Sequence, residues 1–263
     1  MKFSLVTATF NSAKTIELNV QSVLHQCYTD FEHIIVDNLS SDGTLEIVRK
    51  LYGNSERLKI ISEKDSGISD AFNKGILAAA GDIILILSSD DYLHSPDTLQ
   101  RVSEAFDDGI DVVHGNVFYI DEKFGNHVRR PLQCPIWKAM PFNHPATFYR
   151  KSVFDKYGLF DLKYRFAMDY EHTARFWRSQ EDTDCKVKYL PETLVALRGG
   201  GASYTNERKS ILETKEFLVR LNLWDSQAQS NYLVRLLRSQ LKGWLISLQM
   251  DFIVTLWRQR KWK

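Results

Sequence analysis

The chain has 263 residues, 44% of them hydrophobic and 25% charged, with 34 Lys and Arg against 33 Asp and Glu. That size and balance suit one globular α/β domain with an extension, or two small domains, and exclude a disordered chain. The formal net charge of +1 gives no argument for nucleic acid as a partner, and three cysteines (Cys27, Cys134, Cys185) without a C-x-x-C spacing argue against a disulfide framework or a cysteine-rich zinc site.

Phe3–Thr9 predicts a strand. This opening run is too short and too polar for a signal peptide, and with the cysteine usage it leads us to expect a cytoplasmic chain. Residues 13–26 predict a helix with Ile16, Val20, Val23 and Leu24 on one face. A second strand follows at 33–37. Asp42 can cap a second helix that carries Leu45, Ile47, Val48 and Leu51. Leu58–Ser62 is a third strand, and 68–80 a third helix stopped by Gly81. Residues 82–87, Asp-Ile-Ile-Leu-Ile-Leu, are apolar on both faces, as a central parallel strand should be. Strand–helix alternation of this kind predicts a doubly wound, mostly parallel sheet, with ligands at the carboxyl ends of its strands. Residues 96–205 are richer in loops, with helical patterns at 151–157 and 169–179 and a Gly199-Gly-Gly201 loop. From Asn206 the pattern is helical. Leu233, Leu237, Leu241, Trp244, Leu248 and Phe252 share one face and Arg235, Arg238 and Lys242 the other, and the chain closes on Trp-Arg-Gln-Arg-Lys-Trp-Lys. No stretch reaches the ~20 apolar residues that span a bilayer.

The polar residues gather where the strands end: Thr7, Thr9 and Asn11, then Asp37, Asp65, and Ser88-Ser89-Asp90-Asp91. Two adjacent carboxylates at the end of a buried strand repel one another and lose hydration, a cost that a divalent cation with oxygen preference relieves. The same pair also fits a turn that caps the next helix. Asp37 can accept a hydrogen bond from a base N–H, or belong to a polar turn. Asp70, Asn73 and Lys74 lie on the first turns of the third helix, where Lys74 can face phosphate or simply be solvated. His144 sits in a loop beside Pro145, where it can bind an acceptor or make an ordinary hydrogen bond. Asp169 opens a helix, as an N-cap or as a general base of partial burial, with Glu171 its competitor.

Together these blocks resemble glycosyltransferase family 2, the inverting enzymes with the GT-A fold. The matching pieces are Val6-Thr-Ala-Thr-Phe-Asn11, Ile35-Val-Asp-Asn-Leu-Ser-Ser-Asp-Gly-Thr44, Asp65-x-Gly-x-x-Asp-Ala-x-Asn-Lys-Gly75, Gly81-Asp82 and Ser88-Ser-Asp-Asp91. Later come His144-x-x-x-Phe-Tyr-Arg150, Gly158-x-Phe-Asp161, Asp169-Tyr-Glu171 with Arg175, and Arg198-x-Gly-Gly-x-Ser203. Their order and spacing hold over about residues 2–205, and the likeness is nearest to members that build bacterial O-antigen (lipopolysaccharide) and capsule chains.

The resemblance implies roles by position. Thr7, Thr9, Asn11 and Asp37 would hold the nucleoside, with Asp37 facing uracil. Asp65 and the Asp70–Asn73–Lys74 segment would lie near base and diphosphate. Ser89-Asp90-Asp91 stands for the family's Asp-x-Asp, with Asp91 the main ligand of Mn²⁺ or Mg²⁺ and Asp90 a weaker one. Asp169 would be the base, His144 and Glu171 would meet acceptor or substrate, and Arg198 to Ser203 would fold over the diphosphate. The expected partners are a UDP-sugar donor and an undecaprenyl-diphosphate-linked saccharide acceptor. The expected division is a GT-A domain at 1–205, with a nucleotide-sugar half at 1–95 and an acceptor half at 96–205, and a helical extension at 206–263. The basic, amphipathic tail suggests attachment to the inner face of the cytoplasmic membrane, or packing on the protein or on a second copy in a homodimer. Three rivals remain: a nucleotidyltransferase, which would want a glycine-rich, arginine-bearing loop where Phe10-Asn-Ser-Ala13 stands; a non-catalytic nucleotide-sugar-binding subunit; and a membrane-surface scaffold.

Overall fold

The computed structural model of the chain describes residues 1–107, 109–121, 125–132, 134–178, 183, 185–199 and 206–248. Among these, nine strands form one sheet flanked by helices. The first half alternates as its periodicity predicts: β1 (Phe3–Thr9), α1 (Ile16–Leu24), β2 (Phe31–Asp37), α2 (Thr44–Tyr52), β3 (Leu58–Ser62), α3 (Ile68–Ala78) and β4 (Ile83–Ser88). These four strands lie parallel in the order β3-β2-β1-β4. Their polar ends therefore meet at one rim.

β5 (Tyr92–Leu93), α4 (Thr98–Ala105), β6 (Val112–Ile120) and β7 (His127–Arg129) follow. A 3₁₀ turn at His144–Ala146 leads into β8 (Thr147–Arg150), then α5 (Lys151–Tyr157), α6 (Met168–Phe176) and the long β9 (Val187–Arg198). β8 runs antiparallel to β4, with Leu85 opposite Phe148. The turn that precedes β8 thus returns His144 to the rim where β4 ends. β9 inserts between β6, to which it is parallel, and β5, to which it is antiparallel. Its last residue, Arg198, comes to the same rim.

Two apolar layers sandwich the sheet. On one side Val6, Ile84, Ile86 and Tyr149 pack under α3, α5 and α6, with Phe72, Phe154, Phe160 and Phe176. On the other, Leu5, Leu85, Leu87 and Phe148 pack against Leu99 and Val102 of α4. α3 approaches β1 closely because residue 75 is glycine; a β-carbon there would overlap Val6. α7 (Glu207–Arg220) is built into the first layer through Phe217 and Leu218. α8 (Ser226–Ser247) leaves a row of large apolar side chains exposed, Leu233, Leu237, Leu241 and Trp244. No helix among the described residues is long and apolar enough to cross a membrane.

Two local expectations change. The first helix, Ile16–Leu24, is shorter than the expected 13–26, because Ser12 to Thr15 form a turn before it. Gly43, at φ 90°, occupies the N-cap of α2 instead of Asp42. Asp42 acts from one residue earlier, accepting the Thr44 N–H (3.1 Å) and the Ala13 N–H (2.9 Å), and so ties two loops together.

Candidate active site

The rim begins with a pair of neighbours. Thr9 ends β1 directly opposite Asp37, which ends β2. Asp37 is fully buried, and its Oδ2 accepts from the Ser40 N–H (3.1 Å) and the Ser62 hydroxyl (2.8 Å). Its Oδ1 and the Thr9 hydroxyl are buried without a partner. A buried acceptor left unpaired costs about 1–3 kcal/mol, a cost that a donor group from a ligand would relieve.

The loops around it are laced by side chains. Asn11 Oδ1 accepts from Ser41 N–H (2.9 Å), and the Asn11 N–H donates to Ser40 Oγ (2.8 Å). Asn11 adopts φ 48°, in the left-handed region that Asn tolerates better than most residues. Ser12 and Ser89 share a hydroxyl–hydroxyl bond of 2.8 Å, which joins the loop after β1 to the turn after β4.

That turn carries the carboxylate pair. The Asp91 N–H donates to Ser88 O (3.1 Å), while Asn19 of α1 donates from one amide to both Ser88 O (3.0 Å) and Asp91 O (2.9 Å). Asp91 is 2% exposed, and Asp90 is half-buried beside it. Burial first, and then the Asp90 charge, push the Asp91 carboxyl well above the usual carboxylate range; the N–H and guanidinium of Arg198 pull it back. The Arg198 N–H reaches Asp91 Oδ1 at 3.2 Å, and its Nε is buried without a partner. Two crowded carboxylates with oxygen ligands to offer, at an open rim, fit a divalent cation of the Mg²⁺ or Mn²⁺ type. No group of three or more acidic, His or Cys side chains suited to a metal exists among the described residues, so a bound substrate would complete such a coordination shell.

The third segment is partly committed to structure. Asp65 accepts the Gly67 N–H (2.9 Å), and Asp70 accepts the N–H (2.9 Å) and hydroxyl (3.1 Å) of Ser66. Lys74 is held by Glu63 (2.9 Å), the Lys64 carbonyl (2.8 Å) and Asp70 (3.8 Å). Asn73 is a correction: its buried amide bonds the Phe160 backbone in both directions (2.8 and 2.9 Å), so it fastens α3 to the loop before α6. Thr7 is another. It lies in the core, 2.9 Å from His33 Nε2, and His33 Nδ1 is 2.7 Å from the Tyr52 hydroxyl. A strand side chain two residues before the end faces α1, not the rim.

Across the rim lies Asp169, half-buried in the first turn of α6, with Oδ1 accepting the Tyr170 N–H at 2.8 Å. The helix starts at Met168 with Ala167 at its N-cap, so Asp169 is not the cap. That task belongs to Glu213 of α7, whose carboxylate takes the N–H groups of Arg165 (3.1 Å), Phe166 (2.8 Å) and Ala167 (2.8 Å). The Asp169 charge is felt by His144, Tyr149 and Arg129. His144 is buried between Phe72, Phe160 and Tyr149, and its Nε2 has no partner. Burial lowers its pKa, and Asp169 opposes that. Glu171 is the third correction. It is fully buried in ion pairs with Arg175 and Arg220, so it is structural and closed to an acceptor. Ser203 lies outside the described residues.

Sequence reasoning missed Asn19 and Glu213. Asn19 had one readable signal, a polar residue on the buried face of an amphipathic helix between Ile16 and Val20. Glu213 had none, since its partners lie 46 to 48 residues away.

Comparison with known proteins agrees with this geometry. A model described as glycosyl transferase family 2 matches residues 4–173. A PGL/p-HBAD biosynthesis glycosyltransferase of Mycobacterium tuberculosis is 31% identical over 223 residues, 83% of this chain and 83% of that protein. Among solved structures, S. aureus TarS 1-349 in complex with UDP-GlcNAc aligns with a TM-score of 0.68 at 21% identity, covering 89% of this chain and 72% of that one. The mannosyltransferase PcManGT of Pyrobaculum calidifontis, in complex with GDP-Man and Mn²⁺, aligns at 0.61 and 16% identity, covering 99% and 82%.

Proposed function

The chain belongs to glycosyl transferase family 2 and has the α/β architecture of GT-A glycosyltransferases, and from that premise we propose that it is a metal-dependent, inverting hexosyltransferase. Its donor is a UDP-hexose or UDP-N-acetylhexosamine, and its acceptor is a hydroxyl of a saccharide destined for a bacterial surface polysaccharide. The observation that carries this reading is Asp91: a buried carboxylate crowded by Asp90 and tied to Arg198, just past the end of β4. The ligands of the two solved structures, a UDP-sugar in one and a GDP-sugar with Mn²⁺ in the other, support the donor and cation classes.

Asp37 Oδ1 accepts an N–H of the base, and the Thr9 hydroxyl sits beside it. Asp65 and Asp70 wall the nucleoside. Asp91, with Asp90, would hold the divalent cation, which when bound supplies positive charge against the departing diphosphate. Arg198 turns its unpaired Nε to the same diphosphate. Asp169 takes the proton from the acceptor hydroxyl. The acceptor oxygen then forms its bond to the anomeric carbon as the bond to the diphosphate oxygen breaks, and the electron pair leaves with UDP. One in-line displacement inverts the anomeric centre. His144, beside Asp169, lines the acceptor side.

The test is a donor screen. Purified protein is mixed with Mn²⁺ or Mg²⁺ and each common UDP-, GDP- and dTDP-sugar, and slow donor hydrolysis is followed. Hydrolysis of one UDP-sugar, abolished by a chelator, is the expected result. No hydrolysis and no calorimetric binding of any nucleotide sugar would overturn it.

A further inference from the structure

α8 has its amphipathicity inverted. Its body-facing side is polar: Asn231 donates to the carbonyls of Trp137 (3.3 Å) and Lys138 (2.8 Å), and Lys242 pairs with Glu207 at 2.7 Å. Arg235 is half-buried against Tyr170. The outward side carries Leu233, Leu237, Leu241 and Trp244, with Leu248 one residue past the helix; Leu237 is 64% and Trp244 73% exposed. A surface helix of a globular protein normally turns such a stripe inward. The corner before α8 is pinned, with Trp224 and Tyr232 edge to face at 5.4 Å and Lys215 over both rings, so the helix is held in this orientation.

Charge selects the occupant of that face. Residues 226–263 hold seven Lys and Arg against one Asp, whereas the rest of the chain holds 27 against 32. The near-neutral total hides an acidic body and a basic end. A second copy that laid its own basic end on this face would bring like charge to it. The stripe from Leu233 to Leu248 measures about 22 Å by ~10 Å, far short of the ~800 Å² per partner of a stable protein interface. An anionic lipid surface satisfies both halves of the pattern: the exposed apolar side chains enter the acyl boundary and Arg238, exposed on the same helix, meets the headgroups, with four more Lys and Arg following the helix in the sequence.

We propose that α8 seats the protein on an anionic membrane with its apolar stripe inserted. Asn231 and Arg235 join this helix to the 137–138 loop and to Tyr170, the residue after Asp169. The membrane therefore lies beside the acceptor side of the site. Resting on the reading above, this makes the acceptor a saccharide carried on a lipid anchor.

The full chain is floated in a density gradient with vesicles of phosphatidylcholine alone, or of phosphatidylcholine with phosphatidylglycerol, and compared with the double variant Leu237→Glu/Trp244→Glu. Both residues are exposed, so the variant keeps its melting temperature and its donor hydrolysis. The expected result is that the wild type floats with the anionic vesicles about tenfold more than with neutral ones, and that the variant stays at the bottom. Equal flotation of the two proteins, no flotation of either, or a wild-type dimer that the variant dissolves without any lipid binding would each overturn the proposal. Donor hydrolysis is read separately. Normal hydrolysis without flotation defeats only the membrane proposal, and flotation without hydrolysis of any nucleotide sugar defeats only the catalytic one.

Discussion

Asp91 and Asp37 end neighbouring parts of one rim and are both buried, but their surroundings differ. Asp91 is crowded by a second carboxylate, and Asp37 keeps one oxygen for a ligand. Asp169 is different again, half-buried in the first turn of a helix with His144 at hand. We expect Asp169→Asn to lower transfer by about 10²–10⁴-fold, the usual worth of a positioned base. Donor affinity by calorimetry should stay within about twofold, because donor binding is assigned to other residues. Unchanged turnover would remove Asp169 from the role. Asp37 and Asp91 were conspicuous in sequence because strand ends of a parallel sheet gather at one edge, where acidic or hydroxyl groups stand out; Asp169, on a helix, had no such signal beyond its place at the helix start. Thr7, Asn73 and Glu171 misled because their partners, His33, Phe160 and Arg220, come from 26 to 87 residues away.

At the scale of elements, β1 to β4 could be read from apolar runs alone, since a strand covered on both faces has few other compositions available. The second half could not. β9 pairs with β6 and β5 at long range, with register shifts near Asn116, and no local pattern encodes that choice. α6 is a case where one element is completed by another. The N–H groups of Arg165, Phe166 and Ala167, which lead into it, are taken by Glu213 of α7, and the turn that follows presents Asp169. Glu213→Ala should therefore act twice. It should destabilise the fold by about 2 kcal/mol, as loss of a multiple cap does, and lower kcat while the donor KM stays near wild type. A melting curve and donor kinetics check both. A drop in stability with kcat intact would mean that α6 holds Asp169 without help.

For the whole molecule, buried histidines set the response to acid. His33 and His172 are held down to about 3, and His114 to about 4, all mainly by burial. Each stays neutral in the fold, while the unfolded chain binds a proton below about pH 6.5. Protons then favour unfolding, so stability is full above pH 6.5 and falls as pH drops toward 4, by up to ~1.4 kcal/mol per pH unit for each group. His33→Gln should remove about one proton's share of that slope in urea titrations between about pH 5 and 6.5. Identical slopes for variant and wild type would refute this. The order of the sheet has a further consequence, one of timing. β5 pairs with β9 alone among the described strands, and Asp91 receives its backbone N–H from Arg198. During synthesis the turn that bears Asp90 and Asp91 therefore waits for more than a hundred further residues before Arg198 can tie it in place.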